Sequence, residues 1–137
     1  MRIIDSNVII YATQKQFDFL NPILRDKSCF VSEITKLEVL GYHKFDTVSK
    51  QLMTELFDTL QIIPINSPII NQAILLRQNQ KMSIGDAIIA ATALLNNFEI
   101  VTRNTLDFKS LNIKVFNPMI WLKQITRHRP LQLNFVF

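Results

Sequence analysis

Five short apolar runs alternate with longer segments of helical periodicity along this chain of 137 residues. The runs are RIID (2–5), CFVS (29–32), QIIPI (61–65), EIVT (99–102) and KVFN (114–117). Short buried strands that alternate with helices are typical of an α/β fold, because crossover helices cover both faces of a parallel sheet. The alternation therefore predicts an α/β fold with a mainly parallel sheet. The proline of QIIPI indicates that this run is an edge strand.

The segments between the runs predict helices. The predicted helices are 7–24 (broken near Pro22), 33–44, 46–60, 67–80 and 83–95. Ser32 is expected to cap the second helix, and Ser67 the fourth, with Pro68 at its first helical position. The last segment, SIGDAIIAATALL, is apolar on nearly all sides, which predicts that its helix is buried against the sheet.

Composition excludes several classes of site. The only two glycines, Gly41 and Gly85, cannot form a glycine-rich loop for dinucleotides or nucleotide phosphates. The single cysteine, Cys29, excludes an intramolecular disulfide and a cysteine-rich zinc site. The net charge of +4 favours polyanionic partners such as nucleic acid.

No apolar stretch approaches the roughly 18 residues of a membrane span, and no signal peptide precedes the first strand, so a cytoplasmic protein with no membrane partner is expected.

Acidic residues follow or flank several predicted strands. Asp5 ends the first run, Glu38 lies in the helix after the second, and Asp86 is the lone charge at the head of the last helix. Asn104 and Asp107 follow the EIVT run. Ligands of parallel sheets bind outside the carboxyl ends of the strands, where Asp5, Asn104 and Asp107 are expected to lie. Asp86 joins them only if its helix begins at that edge, which the sequence leaves open.

Two of these acids also have a simpler interpretation as helix caps. Ser83 and Asp86 have the spacing of a capping box, and so do Thr35 and Glu38 if their helix begins late. A carboxylate on the apolar stripe of a helix is otherwise costly unless it is hydrogen-bonded, paired or bound to a metal. Asp5 precedes no clear helix start, so no capping role is expected for it.

Four segments occur in an order that resembles a known family. IIDSNVIIY, VSEITKLEVLG, GDAIIAATAL and IVTRNTLDF resemble the motif blocks of PIN-domain ribonucleases, in particular the VapC-type toxins of toxin–antitoxin pairs. The resemblance covers residues 1–123 and leaves a tail, 124–137, of unknown role. It implies a three-layer PIN-like fold whose mainly parallel five-stranded sheet is flanked by helices. It also implies that the helix of Asp86 begins at a pocket that binds Mg²⁺ or Mn²⁺.

The resemblance places the catalytic acids of the family on Asp5, Glu38 and Asp86, with the fourth at Asp107 or, as in some relatives, at Asn104. We prefer Asp107, because an amide can ligate a hard cation but brings no charge. Asp5 and Asp86 are the expected direct metal ligands, and Glu38 and Asp107 complete the shell or orient the attacking water. Pairing of Asp107 with a basic neighbour on the surface is the alternative. The expected supporting residues are Asn7, Thr102 and Asn104, with Arg103 as a candidate contact to RNA.

The function predicted in this way is a metal-dependent endoribonuclease that hydrolyses phosphodiester bonds of RNA. It would act as the toxin of a type II pair, with a cognate antitoxin protein and a homodimeric assembly. An RNA-binding module with the same fold and no catalysis is the alternative. An aspartate-nucleophile phosphatase would need a second acid in place of Asn7. The RNA target, the antitoxin and the number of metals are not specified by the sequence.

Overall fold

The structure is a computed structural model that describes residues 1–121 of the chain, so the predicted tail at 124–137 lies outside the described residues. The strands are β1 (Arg2–Ile4), β2 (Cys29–Ser32), β3 (Ile62–Ile63), β4 (Glu99–Val101) and β5 (Val115–Phe116). They form one sheet in the order β3-β2-β1-β4-β5, and every neighbouring pair is parallel. The predicted parallel sheet is confirmed, and the run that contains Pro64 supplies an edge strand.

Within residues 1–121, six α-helices flank the sheet. They are α1 (Ser6–Ala12), α2 (Asn21–Arg25), α3 (Glu33–Leu40), α4 (Thr47–Thr59), α5 (Ser67–Asn79) and α6 (Ile84–Asn96), with 3-10 turns at Lys15–Leu20 and Thr105–Phe108. The single helix predicted over 7–24 is wrong, because the backbone is extended at Gln14 and non-helical again at Phe17, whose ring is completely buried. Pro22 lies in the first turn of α2 and does not break a helix. Asn66, and not Ser67, caps α5.

Successive residues of the central strands point to opposite faces of the sheet. Ile3 and Ile100 belong to a core cluster that includes the buried faces of α5 and α6. Ile4 and Val101 belong to a second cluster that includes residues of α1, α2 and α4. The alternation follows from the two-residue period of a strand, which is apolar on both faces when helices cover both. The three-layer arrangement is therefore confirmed.

Helix α6 is the most buried helix of the described chain, since all seven side chains from Ala87 to Ala93 are buried. It leads into β4, which is parallel to its neighbours, so α6 runs antiparallel to the strands and begins at their carboxyl edge. This topology places Asp86, in the first turn of α6, at the edge where Asp5 ends β1. Within residues 1–121, no helix is both long enough and apolar enough to cross a membrane.

Candidate metal centre

Asp5 is a buried carboxylate held by four donor groups. It is 4% exposed and lies at the end of β1, where its backbone N–H donates to Val101 O (2.9 Å). Its Oδ1 accepts the Ser6 backbone N–H (2.8 Å) and the Ser6 hydroxyl (3.4 Å), which makes Asp5 the N-cap of α1. The expectation that Asp5 has no capping role is therefore wrong, because α1 begins directly after the strand.

The other oxygen of Asp5 faces two polar side chains from separate segments. Oδ2 accepts the Thr102 hydroxyl at 2.8 Å and the Asn7 side-chain amide at 3.1 Å. Thr102 Oγ1 in turn accepts the Asn104 backbone N–H (3.0 Å), and Asn7 Oδ1 accepts the Arg103 backbone N–H (3.1 Å). The start of α1 and the segment after β4 are thus joined through the carboxylate and its two neighbours.

Glu38 lies on α3, which begins at its N-cap Ser32 and includes Thr35 as a buried interior residue. The interpretation of Thr35 and Glu38 as a capping box is therefore wrong. The Glu38 carboxylate instead faces the first turn of α6, since a Cβ built on Gly85 would lie 2.7 Å from Glu38 Oε1. The Glu38 side chain is thus brought to the residue that directly precedes Asp86.

Asp86 lies in a capped helix start, as its spacing from Ser83 predicts, and its side chain also lines a cavity with another acid. Ser83 is the N-cap of α6, and its Oγ accepts the Asp86 backbone N–H at 3.1 Å. The Asp86 carboxylate is half-buried and lines a cavity together with Asp107. The helix start is therefore capped by Ser83, while the Asp86 side chain faces the other acids.

The cavity beside Asp86 also contains two basic residues that the sequence reasoning missed. Arg77, at the end of α5, and Lys81, in the turn before α6, line it together with Asp86 and Asp107. Arg77 Nε donates to Met82 O at 3.1 Å, which orients its guanidinium. The overall positive charge gave a general signal for such residues but did not identify them. The cavity is therefore lined by both carboxylates and cationic groups.

Burial and mutual repulsion raise the pKa of three of the acids. The pKa of Asp5 is raised by burial and, to a smaller extent, by the charge of Asp107, against the hydrogen bonds from Thr102 and Ser6. Burial raises the pKa of Glu38, and the charges of Asp5 and Asp86 raise it further. These shifts show that the protonated forms are favoured and that the acids are close enough to interact.

Asp86 completes the set of interacting charges. Burial raises its pKa, the charges of Asp5 and Asp107 raise it further, and the hydrogen bond with Ser83 opposes the shift. Each of the four acids therefore raises, or is raised by, at least two of the others. The only ion pair within residues 1–121 joins Arg2 and Glu99, so none of the four acids, Asp107 included, forms an ion pair with a basic side chain of that region.

The donor set fits a hard divalent cation. Carboxylate oxygens are the ligands that Mg²⁺ prefers, and repulsion between them is relieved when a cation is bound. In the part of the chain that the structure describes, no three His, Cys, Asp or Glu side chains are close enough to form a complete metal site. Mg²⁺ usually keeps several waters and takes only one or two carboxylates from the protein, so an open cluster of this kind suits it.

Comparisons with known proteins agree with the fold. A toxin–antitoxin complex from Klebsiella pneumoniae contains a chain that is 30% identical, with a TM-score of 0.71 over 86% of this chain and 98% of that one. FitAcB from Neisseria gonorrhoeae (23% identical, TM-score 0.70, 86% and 98% covered) shares the fold. VapBC2 from Rickettsia felis, bound to promoter DNA, also shares the fold (20% identical, TM-score 0.65, 85% of this chain and 97% of that one covered).

No curated protein sequence matches the chain. The family model of the PIN domain, however, matches residues 2–114, a region that contains the four acids and the two asparagines described here, from Asp5 to Asp107. The match spans every strand except β5 and all six α-helices of the described chain. On this evidence the chain belongs to the PIN domain family.

Proposed function

We propose that the protein is a metal-dependent endoribonuclease that acts as the toxin of a type II toxin–antitoxin pair. The observation that carries the proposal is that four carboxylates lie at one edge of the sheet. Glu38 lies beside the first turn of α6, Asp86 and Asp107 line one cavity, and Asp5 directly follows the central strand β1. Membership of the PIN domain family supports a nuclease, and the relative at 30% identity comes from a toxin–antitoxin complex.

Asp5 and Asp86 are the proposed ligands of Mg²⁺ or Mn²⁺, and Glu38 and Asp107 complete the shell or orient the attacking water. When bound, the cation would lower the pKa of a coordinated water and neutralise charge that develops on the phosphodiester. Asp5 is suited to direct ligation because its oxygens are fixed by surrounding donors. Glu38 is suited to orient this water, because its carboxylate lies beside Gly85, the residue directly before Asp86.

Basic groups on two sides of the acids are the proposed contacts for the RNA backbone. The Arg103 guanidinium lies over the ring of Tyr11 at 4.9 Å from its centre, which positions it beside α1. Arg77 and Lys81 line the cavity of Asp86 and Asp107. Contacts of this kind hold phosphates on either side of the cleaved bond and carry no sequence information.

The proposed partners are a cognate antitoxin protein and a second copy of the chain. The support for the antitoxin is that several structural neighbours were solved as toxin–antitoxin complexes. RNA is the proposed substrate because an acidic metal site and exposed basic residues lie side by side. A cytoplasmic location follows from these proposals, since both RNA and an antitoxin are found there.

The test compares Asp5→Asn and Asp86→Asn with wild-type protein, using Asp58→Asn on the exposed face of α4 as the control. We expect each site variant to lose at least about 1,000-fold in RNA cleavage, equivalent to about 4 kcal/mol, while remaining folded. Saturating Mn²⁺ should stabilise the wild type, by about 2.7 kcal/mol at 100 times its Kd, and should not stabilise Asp5→Asn.

The non-catalytic alternative predicts a different result. An RNA-binding module would bind RNA equally well in the wild type and in Asp5→Asn, and Mn²⁺ would leave its melting temperature unchanged. Cleavage near the wild-type rate by either site variant would show that the metal-site assignment is wrong.

A further inference from the structure

Gly85 is a glycine whose backbone does not require one. It lies in the first turn of α6, and the only positive φ in the described residues belongs to Asn97. Glycine destabilises a helix relative to alanine, because it loses more conformational freedom on folding. The reason for glycine at position 85 is therefore to be sought in the space beside it.

That space is occupied by the carboxylate of Glu38. A Cβ on Gly85 would lie 2.7 Å from Glu38 Oε1 and 3.1 Å from both Cδ and Oε2. A separation below 3.0 Å is essentially never found for a Cβ atom, so a methyl group at position 85 and the carboxylate cannot both keep their places. To reach ordinary van der Waals contact, Oε1 would have to move by about 0.7 Å.

We propose that Gly85 is a positioning residue for Glu38: its missing side chain leaves the place in which the Glu38 carboxylate sits against the first turn of α6. The proposal rests on the proposed function for its catalytic consequence. The start of a helix favours an anion, because its first N–H groups point outward and have no partner within the helix. In this place the Glu38 carboxylate is near Asp86, whose charge raises the pKa of Glu38.

The contact is expected to affect function more than stability. The atoms that meet the new methyl group are at the end of a flexible side chain, which can turn away without moving the backbone. Displacement of a catalytic group by about 1 Å can nevertheless reduce a rate on the order of 100-fold. Gly85→Ala should therefore reduce activity without a loss of stability.

The first experiment measures Mn²⁺ binding, RNA cleavage and thermal unfolding of Gly85→Ala. We expect a melting temperature no lower than that of the wild type, at least about a tenfold loss of Mn²⁺ affinity and a similar or larger loss of cleavage. Asn97→Gly is the matched control, because it favours the left-handed cap at the far end of α6 and leaves the site untouched. Mn²⁺ affinity and cleavage within twofold of the wild type in Gly85→Ala would overturn the proposal.

A shorter acid should tolerate the methyl group. Glu38→Asp withdraws the carboxylate by one methylene, about 1.5 Å, and so vacates the place beside residue 85. Gly85→Ala should then weaken Mn²⁺ binding no further when it is added to Glu38→Asp. If the double variant loses Mn²⁺ affinity by the full product of the two single losses, Gly85 does not act through Glu38 and the proposal is wrong.

Unfolding without metal tests the contact separately from the nuclease. Gly85→Ala should raise the melting temperature more in a Glu38→Ala background than in the wild type, because no carboxylate opposes the methyl group there. If Gly85→Ala alone fails to fold, the double variant should fold, and its failure would count against the contact. If the effects of Gly85→Ala and Glu38→Ala on unfolding are coupled but the wild type binds no Mn²⁺, the proposed function is overturned and the contact between Gly85 and Glu38 stands. Absence of coupling would overturn the role of Gly85.

Discussion

Thr102 Oγ1 lies 2.8 Å from Asp5 Oδ2, although the two residues are 97 positions apart in the sequence. The strands that they end, β1 and β4, are neighbours at the centre of the sheet, and both side chains are buried. The hydroxyl also accepts the Asn104 backbone N–H, so its proton is directed toward the carboxylate. The geometry makes Thr102 a residue that fixes the orientation of Asp5.

We expect Thr102→Val to weaken the site by loss of this hydrogen bond. Valine keeps the branched shape, but it leaves Asp5 Oδ2 with one donor fewer and the Asn104 N–H without its acceptor. Loss of a partner that orients a metal ligand typically reduces metal affinity or activity 10- to 100-fold. Mn²⁺ titration by calorimetry and an RNA cleavage assay should both show a loss of about this size.

The Thr102→Ser variant is the control, because it keeps the hydroxyl and removes only a methyl group. Its Mn²⁺ affinity should stay within a few fold of the wild type. The pH profile supplies a second readout: the hydrogen bond from Thr102 lowers the pKa of Asp5, so the acid limb of the profile should move to higher pH in Thr102→Val only. A larger loss in Thr102→Ser than in Thr102→Val would indicate that the methyl group, and not the hydroxyl, is what the site needs.

Charge repulsion among the acids predicts a pH-dependent gain of stability in Glu38→Gln without metal. The pKa of Glu38 is raised in the folded state by burial and by the charges of Asp5 and Asp86. A raised pKa means that the stability of the folded state is greatest when the group is protonated and falls as the pH rises through the folded pKa. Glutamine is neutral at every pH, so the variant escapes this loss.

The difference in melting temperature between Glu38→Gln and the wild type should therefore be positive at pH 7 to 8 and should shrink as the pH falls toward about 4. Because Glu38 is partly exposed to solvent, the gain should not exceed about 1 kcal/mol. Addition of Mn²⁺ should reverse the order, since the wild type gains more from the cation. A variant that is less stable than the wild type at pH 8 without metal would contradict the repulsion that we infer.

The strands and the three-layer fold could be predicted from the sequence because they follow from local patterns. Each strand is a short apolar run, and each crossover helix has apolar residues at helical spacing or a recognisable cap. Ser32 is predictable as the cap of α3, because it is the hydroxyl residue directly before the helical segment. The cap of α5 was assigned one residue late, because Asn66 and Ser67 are both good caps and only the extended backbone of Asn66 decides between them.

The features that the sequence did not predict depend on contacts between distant segments. The predicted helix over 7–24 is interrupted at Gln14, where the backbone is extended, and at Phe17, which is buried in the core, and no local propensity indicates either change. The contact between Gly85 and Glu38 joins two helices whose relative position is set by the sheet. Arg77 and Lys81 reach the acids only because α5 ends at the same edge where α6 begins. Strand ends and the family resemblance select the acids as candidates, but they do not indicate which groups surround them.

The basic residues of the cavity predict a specific effect on RNA binding. In an Asp5→Asn background, which should not cleave, Arg77→Gln and Lys81→Gln should each weaken RNA binding and reduce the slope of log K against log salt by about 0.7. Lys50→Gln, on the exposed surface of α4, is the control and should leave the slope unchanged. Wild-type slopes in both cavity variants would show that these cations do not contact the RNA backbone.

The fourth position of the site predicts a ranking of two variants at the segment after β4. Asp107 lines the cavity with Asp86, and its charge raises the pKa of Asp5 and Asp86. Asn104 takes part through its backbone, since its N–H donates to Thr102 and its carbonyl accepts the Asp107 N–H. Alanine at position 104 keeps both backbone groups, and the Asn104 side chain does not cap the following 3-10 turn.

Asp107→Asn should therefore need more Mn²⁺ for half-maximal cleavage than Asn104→Ala and should lose more rate at saturation. We expect about a tenfold or larger loss for Asp107→Asn, because the change removes a negative charge next to the cation, and a loss of only a few fold for Asn104→Ala. Cleavage rates over a series of Mn²⁺ concentrations measure both quantities. The reverse ranking would move the fourth position of the site to Asn104, where the amide oxygen would have to ligate the cation without contributing charge.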